Sequence, residues 1–464
     1  MSDPQTTTPE KKHSLFFMIL FLSGFAGLIN QVVWQRAIKI YLGGADAICS
    51  MLVVLVFMLG LGTGSLLIGK KASTLKNPIG ALALTELGLF VVNLLVLFLL
   101  RIDLSESIFS FQRAAISFGI PIKLLYSLTG IAILIVPCSL MGMTMPIASE
   151  GANRQLQCKR SWMVDHMFFI NTLGAFAGAI LTGFKLLPLY GQTICLILAA
   201  SFNLSAAILL YFMKSAPVES PDFNASSAVE NSESASGKSW WQFRDEEIAT
   251  FFLGFVSLAY EMYLFRALSL VYEPLPGTFS LVLSFFLLAW AIGVLLAGHF
   301  ADIVLPSIAI SSLIFFLSPY VVMYDRTIAV GLASTFAAIS YFIPCLVFGL
   351  LFGQLLNRFI KSWGSDVGKF MGLNTLGSCL GILAMTLVGG SIFHAFNAWI
   401  LASIMASVGI WLYLRTLSGS RVQKYSGSAV FLSGFVAISL LAIEGSNSPF
   451  VDRAYRTYSD PVGV

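Results

Sequence analysis

Charge is what this chain has least of. Asp, Glu, Lys and Arg make up 11% of its 464 residues, against about 25% in an ordinary soluble domain. With 57% apolar residues and a mean hydropathy of +0.85, that scarcity excludes a soluble globular protein. Catalytic signatures are missing too. There is no P-loop, no His-Glu-x-x-His and no Gly-x-Gly-x-x-Gly between a strand and a helix; Gly60-x-Gly62-x-Gly64 lies inside an apolar run. Cys49, Cys138, Cys158, Cys195, Cys345 and Cys379 include no C-x-x-C pair, and His13, His166, His299 and His394 show no ligand spacing. Both patterns argue against a zinc site or a disulfide framework. The basic residues form no run interleaved with aromatics, so nucleic acid is not an expected partner. No cofactor or metal is expected, and the chain does not read as an enzyme.

Long apolar runs are what is there. A bilayer core about 30 Å thick needs about 20 apolar residues per helix, and the pattern predicts spanning helices over about 14–34, 46–69, 79–100, 123–147, 166–189 and 192–213. A second set falls at about 245–268, 277–300, 303–323, 327–356, 367–393 and 395–415, with one more at 427–444. The predicted order is an N-terminal tail (1–13), a first six-helix half (14–213), a linker (214–244), a second six-helix half (245–415), an added helix with its loop (416–444) and a tail (445–464). The linker's Ser, Glu and Pro cannot bury enough apolar surface to order it, and it is too short for a catalytic domain. Lys70, Lys71, Lys76, Arg154, Arg244, Arg358 and Lys369 fall with most of the other basic residues on one side of this topology. By the positive-inside bias that side, with the N-terminus, is cytoplasmic and the C-terminal tail periplasmic.

The halves repeat. Gly24-Phe25-Ala26-Gly27-Leu28 through Trp34-Gln35-Arg36-Ala37 returns as Gly254-Phe255-Val256-Ser257-Leu258 through Leu264-Phe265-Arg266-Ala267. Asn171-Thr172-Leu173-Gly174 with Gly178 returns as Asn374-Thr375-Leu376-Gly377 with Gly381, and Pro137-Cys138 with Gly142 as Pro344-Cys345 with Gly349. Parallel repeats of this kind are an architecture of transporters, with the substrate site between the halves. Small residues four apart let helices approach closely in lipid; here they are either permanent crossings or surfaces that slide during alternating access.

Polar groups at membrane depth are costly and mark functional positions. Glu86 falls inside the third predicted helix and Glu261 in the seventh, where the first half has Asn30-Gln31. Arg36 and Arg266 occupy matching helix ends, from which a long side chain can snorkel to the headgroups. Asn171 and Asn374 are paired amides suited to tying helices together. The candidate substrate or ion-binding residues are therefore Gln31, Arg36, Glu86, Asn171, Glu261, Arg266 and Asn374, with the two carboxylates as proton or cation sites.

Gly24 through Arg36, the glycine-rich Gly60–Gly69 segment, Pro137 through Pro146 and Asn171 through Gly174 resemble the membrane portion of the spermidine-synthase-like multi-pass proteins. Many of those carry a soluble aminopropyltransferase-like domain, which has no counterpart here, so the resemblance implies no synthase activity. That membrane portion is similar in turn to the major facilitator fold, which places G-x-x-x-D after the second helix of a half. Gly298-His299-Phe300-Ala301-Asp302 fits, whereas Gly69-Lys70-Lys71-Ala72-Ser73 ends in serine.

The expectation is an all-α polytopic inner-membrane protein, two parallel six-helix repeats plus one helix, major-facilitator-like. Its expected activity is secondary transport of a small polar solute, a cationic amine in particular. The alternative is a non-catalytic membrane subunit that docks a separate soluble enzyme.

Overall fold

A computed structural model describes residues 9–42, 46–99, parts of 110–119, 122–156, 160–213, 244–271, 276–298, 332–361 and 363–391. The expected helices at 303–323, 395–415 and 427–444, and nearly all of the linker, lie outside the described residues. Among the described residues the elements of membrane-spanning length are helices. They are α1 (Pro9–Leu42), α2 (Asp46–Ala72), α3 (Pro78–Leu99), α4 (Ile122–Leu156), α5 (Arg160–Leu181), α6 (Leu187–Met213), α7 (Asp245–Val271), α8 (Pro276–Leu296), α9 (Leu332–Phe359) and α10 (Trp363–Ser391). With few polar side chains to cap or divert the backbone, apolar runs of this length close their hydrogen bonds internally, as a bilayer requires.

The two helices expected at 166–189 and 192–213 form one 52-residue apolar stretch, Trp162–Met213. It is broken by a wide π turn at Thr182–Leu186 and by Gly191, whose φ of 75° turns the chain back where a side chain would be strained. α4 runs on to Leu156, past the expected end at 147 and through Pro137 and Pro146. That extension carries Glu150 and Arg154.

The repeat is written in the helix crossings. Within the first half, a side chain on Gly24 would strike the Asn171 carbonyl oxygen, one on Gly174 that of Phe21, and one on Gly178 that of Phe25. In the second half the same roles fall to Gly254 on Asn374, Gly377 on Phe251 and Gly381 on Phe255. The α2–α4 crossing (Gly64 on Ser139, Gly142 on Leu61) is likewise reproduced by α8–α9 (Gly293 on Leu346, Gly349 on Trp290). These glycines are the close backbone approaches that drive helix association in lipid, where lipid tails are as apolar as leucine. Packed side chains fill the rest: Trp34, Phe16 and Ile29 in the first half, and Tyr260, Phe359 and Phe370 in the second, are almost fully buried. Outward faces are apolar and exposed, as at Leu84, Val91 and Phe98 of α3 and Tyr211 and Phe212 of α6. They form a surface for lipid, and the protein is a multi-pass membrane protein.

Candidate functional site

The halves meet along α2 and α10, from Leu55 and Cys379 to the end of the bundle that carries Lys70 and Lys71, and again at the opposite end, where Gly183 lies against Ser280 of α8. α2 presents Gly62, Ser65 and Gly69 to α10, whose Gly368 and Thr375 face them; side chains added at Gly69 and Gly368 would run into one another's backbone. The Ser65 hydroxyl donates to the Gly142 carbonyl at 2.8 Å, which keeps α2 on α4. Beside this seam stands Glu150 of α4. One of its oxygens accepts from the Arg154 Nε at 2.9 Å, and the other from the Gly364 backbone N–H at 3.4 Å. Gly364 is the second residue of α10, so a carboxylate of one half sits at a helix N-terminus of the other. Free N–H groups and the helix dipole favour negative charge there. The Arg154 guanidinium also donates to the carbonyls of Ser73 (2.8 Å) and Leu75 (2.7 Å), fixing the α2–α3 connection against α4.

A second seam is the counterpart of the first. The offset that pairs Pro137 with Pro344 also pairs Glu150 with Asn357. The offset that pairs Gly174 with Gly377 likewise pairs Asp165 with Gly368. Accordingly, Asp165 of α5 lies against Gly298, just past α8, as Gly368 lies against Gly69. The Asn357 amide of α9 donates to both Asp165 oxygens at 3.0 Å, and Phe168 packs edge-on against Phe352 across the same boundary, centroids 5.3 Å apart. Two carboxylates, one on each seam, thus hold the halves together at this end. Nearby, the Glu247 carboxylate accepts from Lys369 Nζ (2.7 Å) and Arg244 Nε (3.0 Å), tying α7 to α10 within the second half.

The sequence-predicted residues separate into distinct places. Glu86, 1% exposed, accepts from the Ser23 hydroxyl at 2.6 Å and the Asn203 amide at 2.8 Å, and Asn203 accepts from Asn93 at 3.1 Å. This polar cluster joins α1, α3 and α6 inside the first half, away from the seams. Glu261, 3% exposed, lies on α7 near the Cys345 thiol of α9, and no described side chain donates to it. The structure therefore does not bring the two carboxylates to one site. The Asn374 amide donates to the Thr250 carbonyl at 3.3 Å and so ties α10 to α7. Asn171 is half-buried, its carbonyl seated on Gly24. Arg36 is half-buried near the end of α1, and the Arg266 side chain lies outside the described residues. Gln31 is buried beside Asn30 and Trp34 on one turn of α1.

Sequence reasoning missed Glu150, Asp165 and Asn357, which join the halves, and Asn203, which completes the Glu86 cluster. The signal for the seam residues was the repeat itself: aligned through its prolines and glycines, it sets polar residues at matching places on α4 and α9.

No protein-family model matches the sequence, and no curated protein matches it. Solved structures do. The Escherichia coli fucose:proton symporter FucP superposes with a TM-score of 0.52 at 14% identity, over 88% of this chain and 98% of that one. The human organic anion transporter MFSD10 (TETRAN) gives 0.54 at 10% identity, over 94% of this chain and 100% of that one. At such identities the likeness is one of fold, and the fold of this chain is the polytopic major-facilitator-like fold.

Proposed function

We propose that the chain is a secondary transporter that carries a small polar solute across the cytoplasmic membrane by alternating access. The paired seams carry this reading. At the basic end they join two repeated halves through glycine backbone and a few hydrogen bonds, each worth only about 0.6–1.7 kcal/mol between helices in lipid, and farther along the halves touch again where Cys379 lies 3.9 Å from the Leu55 carbonyl and Gly183 lies against Ser280. Hydrogen bonds of that size can part and re-form at a cost that the free energy of solute binding covers. The positive-inside bias of the basic residues at the seams supports a cytoplasmic place for the basic end. The start of α1 is at the same end, the ring Nε2 of His13 being 3.2 Å from the Leu156 carbonyl at the end of α4.

Glu86 and Glu261 are the candidate proton or cation sites. Glu86 is held on both oxygens, while among the described residues no side chain donates to Glu261. The names of the two solved neighbours fit this class: one moves a sugar with a proton, the other organic anions.

The test is thiol labelling of single-cysteine variants in a cysteine-free background. Ser257→Cys, one turn before Glu261, and Met145→Cys, inward of Glu150, are exposed to a membrane-impermeant reagent from each side. Labelling at membrane depth is expected. Complete protection of both, in protein shown to be folded and inserted, overturns transport and favours a packed membrane subunit docking a soluble enzyme. Counterflow that ignores an imposed pH gradient would remove proton coupling alone.

A further inference from the structure

Three polar side chains on one turn of α1 are buried without the partners their chemistry demands. Asn30, Gln31 and Trp34 are 0%, 2% and 1% exposed, and their spacing of one and four residues gathers them on one side of the helix. Both polar atoms of the Asn30 amide, the Gln31 amide nitrogen and the Trp34 indole nitrogen find no hydrogen-bond partner among the described residues. Buried polar atoms in native proteins are paired in about 90% of cases or more, so each exception calls for an explanation. One turn earlier, Gly27 leaves this stripe open toward Met141 of α4, where an added Cβ would stand 3.8 Å from the sulfur. The second half fills the matching place otherwise. Tyr260 and Glu261 stand where Asn30 and Gln31 do, and the Tyr260 ring packs edge-on against Phe348, the counterpart of Met141, with centroids 5.9 Å apart.

The orphaned atoms on α1 are mostly donors. An indole N–H can only donate, and each amide nitrogen offers two N–H groups; the Asn30 oxygen is the lone orphaned acceptor. Turning the Asn30 amide over exchanges two orphaned atoms and leaves the balance unchanged.

We propose that this turn is where the transporter reads its solute, and that it reads acceptor oxygens, carboxylate or hydroxyl, rather than amino groups. This rests on the transport reading and names the substrate class within it. A carboxylate takes N–H donors on both oxygens, and a hydroxyl takes one while giving its own proton to the Asn30 oxygen. An ammonium group brings three donors and no acceptor, so it would set donor against donor.

The first test needs no solute. Asn30→Leu removes two orphaned atoms while keeping a branched side chain of four heavy atoms, and replacing unpaired polar atoms by apolar ones of like shape is nearly neutral or stabilising. The purified full-length variant should melt no lower than the parent; a clearly lower midpoint shows that Asn30 was already paired and overturns the proposal.

The second test is thermal stabilisation of the parent by three pools: short carboxylic and hydroxy acids, neutral monosaccharides and polyols, and amines with polyamines. One of the first two pools should stabilise it. The active compound should lose this effect in Asn30→Leu and bind about 2- to 12-fold more weakly to Trp34→Phe, which keeps a ring and loses the N–H. Gln31→Glu separates the sources, since an added carboxylate repels an acid and tolerates a polyol. Stabilisation by amines alone overturns the inference and leaves transport standing, because cysteine labelling tests transport without a solute. Stabilisation by no pool, or equal affinity in Trp34→Phe, overturns the inference as well.

Discussion

Alanine at Gly368 and alanine at Gly174 should do different things, although each adds one methyl group at a tight helix crossing. At Gly174 the new Cβ strikes the Phe21 carbonyl, inside the first half; at Gly368 it strikes Gly69 and the Ser65 carbonyl, across the seam. Backbone cannot swing aside as a side chain can, so in both places helices must shift, at about 1–3 kcal/mol for an overpacked site. The difference lies in which equilibrium bears the cost. A crossing within a half persists in every conformation of a transporter, so Gly174→Ala should lower the thermal midpoint. The seam exists only while the halves meet at this end, so Gly368→Ala should favour the conformation in which they part, by about 5- to 150-fold for 1–3 kcal/mol. Alanine's helix-propensity gain of about 1 kcal/mol is shared by both conformations and cancels. The assay is the rate at which an impermeant maleimide, added from the basic end, labels a lone cysteine at Met145 on a background lacking all six native cysteines, Cys49, Cys138, Cys158, Cys195, Cys345 and Cys379. Gly368→Ala should speed labelling within that range and barely move the midpoint. If the two variants behave alike in both measurements, the seam is ordinary core and the halves do not part there.

Four other outcomes follow from the geometry. Asp165→Ala and Asn357→Ala should each speed the same labelling about 3- to 20-fold, the range for an interhelical hydrogen bond of 0.6–1.7 kcal/mol; the double variant should be no faster than either, and additive rates would show that the pair does not interact. Glu86→Leu strands the Ser23 hydroxyl and the Asn203 amide, at about 1–3 kcal/mol each, and should melt well below Glu86→Gln, which keeps an acceptor; equal midpoints would dissolve the cluster. Arg154→Ala removes three hydrogen bonds, two of them to the α2–α3 connection, and should quicken amide exchange at residues 73–77; unchanged exchange would mean that the loop is held by something else. Glu261→Gln should lower uptake of the solute found by the stabilisation screen while leaving membrane insertion intact, and full uptake would take Glu261 out of the mechanism.

What was legible in the sequence is what bilayer physics enforces locally. An apolar run of about 20 residues in a bilayer is expected to be a helix and glycines four apart let helices approach closely, so the described helices and the repeated glycine contacts could be anticipated. Which polar groups work together could not, because pairing between helices leaves no mark on either one. Glu86 looked like a lone carboxylate until Asn203 and Ser23 stood beside it. Glu150 and Asp165 lay at the ends of apolar runs, where charge is unremarkable. The seams show what such a reading loses. Ser73 stands where the second half has Asp302, and the carboxylate at the first half's corner comes instead from α4: Glu150 takes the α10 backbone N–H, and its partner Arg154 grips the Ser73 carbonyl. At the matching corner the α4 carboxylate has become the α9 amide Asn357, and the acid has moved to α5 as Asp165. One corner sets a carboxylate on a helix N-terminus, the other a carboxylate on a side-chain amide. The repeat therefore preserves the geometry of the junction while the chemistry differs on its two sides, so the two seams should part at unequal cost.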